Sequence, residues 1–182
     1  MFAENSDSFS EDTMLATGLV LSNQAKSGIS KQIYTDIKTK YPSNTTVELG
    51  LLGVQLGEMS ALSIIEQNYM DKKDANSRAL FAASLIKLGE LERAEALANN
   101  WIEEGEDLAI GYQTLANIAI EKDEFEVVDT NMQKLLEVSP NNRFANAYLA
   151  QKLSKNGDSE KAIELYSSLL NSYPNDLNIL AS

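Results

Sequence analysis

The side chains best suited to chemistry in this chain are carboxylates, because the sequence contains no cysteine and no histidine. That composition removes disulfides, thiolate nucleophiles, the usual zinc ligands and the side chain that most often moves protons near neutral pH. An enzymatic site would need paired carboxylates in a pocket. The nearest candidates are Glu121 and Asp123, which we expect at a helix end and its turn. The sequence therefore predicts no catalytic residue and no enzyme.

Two further clusters resemble ligand sites only superficially. Residues 103–107 crowd four carboxylates around one glycine, but they lack the alternating ligand spacing of a calcium loop, so we expect a turn between repeats. Gly50, Gly53 and Gly57 lie close together without the spacing of a dinucleotide loop, and no phosphate-binding glycine-lysine motif occurs. The sequence predicts packing glycines, no metal and no cofactor.

The net charge of −12 restricts the kinds of partner that the protein can bind. Between Glu90 and Glu137 there are thirteen Asp and Glu residues against Arg93, Lys122 and Lys134. Such a surface repels phosphate backbones and anionic lipid head groups, so nucleic acid and membrane-surface binding are disfavoured. Ordinary solvation of helix faces explains the acidity, and a cationic partner is the alternative. No apolar run is long enough to predict a membrane span.

The elements that must position any site repeat at a spacing of 34 residues. The repeated positions hold a turn residue, a large apolar residue, a small residue and a proline. They are Gly89, Asp123 and Gly157; Phe81, Leu115 and Leu149; Ala82, Ala116 and Ala150; and Pro140 and Pro174. A fixed period of this length is typical of a repeat architecture built from helix pairs.

The period predicts five helix pairs and a truncated sixth. After a disordered segment at 1–10, the predicted repeats are 11–42, 43–74, 75–108, 109–142 and 143–176, with a partial repeat at 177–182. One frame position holds only small residues, as expected where two helices cross closely. These are Gly18, Gly50, Ala82, Ala116 and Ala150. We expect Trp101 on the inner stripe of a second helix, and Phe125 and Ile163 on the apolar faces of the two second helices that follow it.

These residues resemble the tetratricopeptide repeat family over residues 11–182. The positions that match the family pattern are Tyr112, Leu49-Gly50, Ala162, Tyr166 and Pro174. The resemblance implies an all-α fold, a right-handed α-solenoid of about five helix-turn-helix pairs plus a truncated C-terminal helix. It also implies a role in protein assembly. One subclass binds acidic chaperone tails through a clamp of Lys, Arg and Asn, and here only Asn117 fits that clamp, so chaperone-tail recognition is rejected.

The C-terminal residues suggest a larger context. Residues 175–182 begin a new helix and stop within about two turns, so we expect a segment of a longer protein. Leu177 to Ala181 resembles the opening of a repeat in large bacterial tetratricopeptide lipoproteins associated with exosortase and exopolysaccharide systems. A cysteine-free chain suits cytosol and periplasm alike, and an extracytoplasmic location follows only if that resemblance holds.

Two functions remain open. The first is an interaction scaffold whose concave groove, lined by first helices, binds a peptide or helix of an unidentified protein partner. We call the expected contacts the six predicted groove residues: Leu51, Val54, Ile86, Gln113, Asn117 and Gln151. The alternative is a structural spacer or self-assembly element, with self-association through the under-capped C-terminal end.

Overall fold

The computed structural model describes residues 10–24 and 27–172, and all of their regular secondary structure is helical. Ten α-helices follow one another, with one short 3-10 helix at Met59–Ala61 between the third and the fourth. They are α1 Glu11–Asn23, α2 Ser27–Lys40, α3 Val47–Gln55, α4 Leu62–Lys72, α5 Ala75–Lys87, α6 Leu91–Glu103, α7 Leu108–Glu121, α8 Phe125–Val138, α9 Arg143–Lys155 and α10 Ser159–Ser172. This is the predicted all-α series of five helix-turn-helix pairs.

The chain divides into two compact units, Met1–Leu97 and Ala98–Ser182, with the boundary inside α6. In unit 1, α1 packs on α2 and α3, and α3 packs on α4 and on the 3-10 helix. In unit 2, α7 packs on α8, α8 on α9, and α9 on α10. Within each unit, consecutive helices thus bury their apolar faces against one another.

The turns inside successive pairs share one geometry because the period places the same kind of residue in each. Gly89, Asp123 and Gly157 have positive φ values of 79°, 57° and 89°. The next amide N–H in each turn donates to the carbonyl five residues earlier, at 2.9 Å, 2.9 Å and 3.0 Å respectively. This left-handed turn satisfies carbonyls that the helix end leaves free. Glycine adopts it without strain, whereas Asp123 adopts it at some cost.

The small-residue positions lie at close helix crossings, as predicted. Ala116 and Ala150 are fully buried, and Ala82 is nearly so. A Cβ added at Gly18 would lie 2.8 Å from Leu52 Cδ2, and one added at Gly50 would lie 2.8 Å from Ile65 Cδ1. At Gly18 and Gly50 even a Cβ would require a neighbouring side chain to shift, and at the three alanine positions a larger side chain would hold the helices apart.

Side-chain burial corrects two expectations and confirms a third. Trp101 is 1% exposed and fills the core, as predicted. Phe125 is 66% exposed because, as the first residue of α8, it precedes the buried part of that helix. Ile163 on α10 is 64% exposed, since no described residue covers it. The disordered segment predicted at 1–10, apart from Ser10, and the partial repeat predicted at 177–182 lie outside the described residues.

Candidate functional site

The groove residues predicted in unit 1 differ in their access to solvent. Leu51 on α3 and Ile86 on α5 are half-buried. Val54 is 4% exposed. The helix that carries it, α3, contacts α1, α2, the 3-10 helix, α4 and α5, so it has little free surface. Val54 is therefore a core residue, while Leu51 and Ile86 keep a partly accessible apolar surface.

The groove residues predicted in unit 2 are polar and accessible. Gln113 and Asn117 are spaced by one helical turn on the same face of α7 and are half-buried, and Gln151 on α9 is exposed. Gln113 Oε1 accepts a bond of 3.5 Å from the Asn142 side-chain amide, which joins α7 to the start of α9. In the part of the chain that the structure describes, neither Asn117 nor Gln151 uses its side-chain amide in a hydrogen bond.

A cavity between α8 and α9 in unit 2 was not predicted. Its volume is about 330 Å³, and the larger part of its wall is apolar. From α8 the wall is formed by Met132, which is buried, and by Leu136. From α9 it is formed by Ala145 and Leu149. The volume lies at the small end of the range for ligand pockets in proteins.

One end of the α8–α9 cavity is lined by a cluster of three polar side chains. The Tyr148 hydroxyl donates to Asp129 Oδ1 at 2.7 Å, and the Lys152 ammonium lies 2.7 Å from Asp129 Oδ2. Asp129 projects from α8 and the other two side chains from α9. The cluster therefore links the two helices through both carboxylate oxygens.

The charges in this cluster fix its protonation state near neutral pH. The bond from Lys152, followed by the bond from Tyr148, lowers the pKa of the Asp129 carboxyl. Burial, followed by the bond to Asp129, raises the pKa of Tyr148 to about 12. At neutral pH the carboxylate is ionised and the phenol is neutral, so Tyr148 donates and Asp129 accepts.

The repeat period alone does not predict this cluster. Asp129 precedes Ile163 by one period, so one frame position holds a charge in one repeat and an apolar residue in the next. The Asp129 side chain is 39% exposed, so its position alone does not require a partner. Its bonds to Tyr148 and Lys152 depend on how α9 packs against α8, which the spacing does not predict.

The carboxylates that could have formed other sites are arranged as turns. Glu121 and Asp123 are both exposed, at the end of α7 and in the turn that follows. Of residues 103–107, Glu103 ends α6 and the other four connect it to α7, with Gly105 at a φ of 69°. Among the described residues, no group of three or more Asp, Glu, His or Cys side chains is placed to hold a metal ion. None of the described helices is long and apolar enough to cross a membrane.

Comparison with known proteins agrees with this repeat geometry. The family model for the tetratricopeptide repeat matches residues 143–176, the interval that contains α9 and α10. The described part of this interval, α9 and α10, is the helix pair of a tetratricopeptide repeat. The structure is also similar to a thermophilic TPR protein from Thermus thermophilus, with a TM-score of 0.56 and 14% sequence identity over 94% of this chain and 96% of that chain. No curated protein matches the sequence.

The two findings establish the tetratricopeptide-type solenoid fold. At this level of identity the structural likeness speaks to fold alone, and it does not carry the other protein's role. Neither comparison supports the resemblance to lipoproteins of exosortase systems. Tetratricopeptide folds generally serve as non-enzymatic scaffolds for protein–protein interaction, because stacked repeats present extended surfaces.

Proposed function

We propose that this chain is a protein-interaction scaffold that binds a segment of a partner protein through the accessible faces of its first helices. Unit 2 offers Gln113, Asn117 and Gln151 for such a contact, and unit 1, considered by itself, offers Leu51 and Ile86. Val54, which the sequence suggested as a sixth contact, is withdrawn because it is buried. The observation that carries the proposal is the pair of accessible amides at Asn117 and Gln151 that make no side-chain bond among the described residues.

The chemistry of these side chains indicates which groups of a partner they can contact. An amide offers two donors and one carbonyl acceptor, which matches the main chain of a bound peptide or helix end. Leu51 and Ile86 offer apolar area without charge. Affinity would come from apolar burial and neutral hydrogen bonds, so binding should depend only weakly on salt.

Site-specific photocrosslinking tests the proposal even though the partner is unidentified. A photoreactive phenylalanine analogue is placed at Asn117 or at Gln151 in the protein expressed in its native host. We expect the same discrete crosslinked protein from both positions, identified by mass spectrometry. The matched control is Glu126, which is exposed on α8. Equal crosslinking of that protein from Glu126, or none from Asn117 and Gln151, would contradict the proposal.

Self-assembly is the second candidate function, and one observation favours it. Ile163 on α10 is 64% exposed, although its counterpart one repeat earlier, Asp129, lies against α9. An apolar residue at a position that packs between repeats is expected to associate with another helix.

Light scattering over a concentration series separates this candidate from the first. If Ile163 mediates self-association, Ile163→Glu should shift the chain toward monomer while the exposed control Glu164→Gln leaves it unchanged. A parent chain that stays monomeric at high concentration would exclude self-assembly through α10 and leave the scaffold proposal untouched.

A further inference from the structure

The α8–α9 cavity has apolar walls, a polar end and a volume of about 330 Å³, and none of its lining residues is among the six predicted groove residues. We infer that it is an anchor pocket for one aromatic side chain of a protein segment, whose neighbouring main-chain carbonyl accepts a hydrogen bond at the polar end. Large aromatic side chains that fill desolvated pockets dominate the energetics of many protein interfaces. The inference is independent of the proposed contacts on the first helices.

The charges at the polar end select a neutral occupant. The Lys152 ammonium lies against one oxygen of Asp129 and neutralises the carboxylate, while Tyr148 bonds the other oxygen, so this end of the pocket has no net charge to attract a cation. An anion is disfavoured by the net charge of −12. The occupant that fits these conditions is uncharged.

The same end supplies hydrogen-bond donors. An ammonium group has three N–H donors, and Lys152 directs one toward Asp129, so further N–H groups remain at the rim. Gln133, which also lines the pocket, donates one side-chain N–H to Glu137 Oε1 at 3.5 Å and keeps a second N–H. These N–H donors match a main-chain carbonyl, the neutral acceptor that accompanies every side chain of a peptide.

The apolar wall favours an aromatic over an aliphatic side chain. Met132 contributes a thioether, which makes favourable contacts with the edges of aromatic rings. Leu136 and Leu149 provide aliphatic surface on the facing helices α8 and α9. An aromatic ring in the pocket would contact both surfaces and the Met132 thioether.

The probe that tests this pocket is N-acetyl-L-phenylalanine amide, which carries an aromatic ring and neutral carbonyls. Methyl NMR of the full chain should show saturable shifts at Met132, Leu136 and Leu149, with a millimolar dissociation constant as expected for so small a ligand. N-acetylglycine amide, which lacks the ring, should produce no saturable shift. Absence of saturable shifts at these methyls with the phenylalanine probe would overturn the inference.

Two variants with matched controls locate the binding. Leu149→Trp fills the cavity and should reduce the affinity for the probe by about tenfold or more. Its control is Leu115→Trp, because Leu115 holds the same repeat position in α7 and is also half-buried. Lys152→Met removes a hydrogen-bond donor at the polar end and should reduce the affinity for the probe by about threefold to tenfold. Lys155→Met, at a residue that is also exposed on α9, should leave that affinity unchanged.

Each outcome decides a part of the inference. Unchanged affinity in a folded Leu149→Trp places the probe outside the cavity and refutes the pocket. If that variant does not fold, Lys152→Met still provides the test, since its side chain is exposed. Equal affinities for Lys152→Met and Lys155→Met would refute the carbonyl contact.

Discussion

Replacing Gly53 by alanine should destabilise unit 1, although alanine favours helices. Gly53 lies in α3, where the backbone meets two neighbours closely. A Cβ added there would lie 3.0 Å from both Cε2 and the hydroxyl oxygen of Tyr34, and closer still to Ala61 Cβ. Ala61 is part of the 3-10 helix, and a Cβ atom cannot rotate away as the end of a long side chain can. The helices must therefore shift apart.

The expected magnitude follows from two opposing effects. Exchange of glycine for alanine inside a helix stabilises it by up to about 1 kcal/mol. Overpacking a closed site costs about 1 to 3 kcal/mol, and here it is expected at the upper end because the neighbour is close to the backbone. The net free energy of unfolding should fall by roughly 1 to 2 kcal/mol.

Gly28→Ala is the matched control, because Gly28 is also helical but a Cβ there would meet no atom within 4 Å. That variant gains the helix propensity of alanine without the cost of overpacking, so its free energy of unfolding should be unchanged or higher by up to about 1 kcal/mol. Thermal melting followed by far-ultraviolet circular dichroism measures both, with about 2 to 4 °C expected per kcal/mol for a chain of this size. If Gly53→Ala melts at or above the parent temperature, the packing of α3 against Ala61 is wrong.

Three further predictions concern unit 2. Ala116→Leu should destabilise by about 1 to 3 kcal/mol, because Ala116 is fully buried at a helix crossing, and a parental melting temperature would refute that register. Asp123→Gly should stabilise and Gly157→Ala should destabilise, each by about 1 kcal/mol, since both positions have positive φ; melting shifts of the opposite sign would refute the turn geometry. Asp129→Asn should lower the pKa of Tyr148 from about 12 part of the way toward the ordinary phenol value of 10.0, because burial, the larger cause of the shift, remains when the charge and its bond are removed. Phenolate absorbance measured against the Tyr148→Phe variant gives this pKa, and an unchanged value would show that the bond is absent.

The same cluster makes stability depend on pH at both extremes. The pKa of Asp129 is lowered in the folded state, so its contribution is present above the unfolded carboxyl pKa and is lost as the pH falls through the folded value. The pKa of Tyr148 is raised, so its contribution is present below the unfolded phenol pKa and is lost as the pH rises toward about 12. In the Asp129→Asn variant, the free energy of unfolding should change less with pH than in the parent, at both the acidic and the alkaline extreme.

The fold could be predicted from the sequence because equivalent positions of each repeat must meet the same structural requirement and therefore hold the same kind of residue. A turn residue must adopt a left-handed conformation, and Gly89, Asp123 and Gly157 do. A small residue must stand where helices cross, and Ala116 and Ala150 are fully buried there. These requirements are local to one helix pair, so the spacing alone reveals them.

The candidate site could be predicted only in part, because exposure depends on how many neighbours a helix has. The first helix of the second repeat, α3, is shorter than the other first helices and has contacts on several sides, which buries Val54. The cavity between α8 and α9 depends on side chains from two helices, and no spacing within one helix predicts it. Phe125 is apolar yet exposed, because a helix end has fewer neighbours than its middle.

The affinity of a crosslinked partner for two double variants tests the scaffold proposal most directly. One variant, Asn117→Ala with Gln151→Ala, removes both accessible amides. The other, Glu124→Lys with Glu126→Lys, reverses two exposed charges at the start of α8. Asp129 is left intact in the second variant because its carboxylate bonds Tyr148 and Lys152.

Isothermal titration calorimetry at low and high salt gives the deciding comparison. The account predicts that the amide variant binds about tenfold or more weakly, that the charge-reversal variant binds like the parent, and that salt changes neither result. The opposite pattern, with parental affinity in the amide variant and salt-sensitive loss in the charge-reversal variant, would contradict it and favour a cationic partner on the second helices.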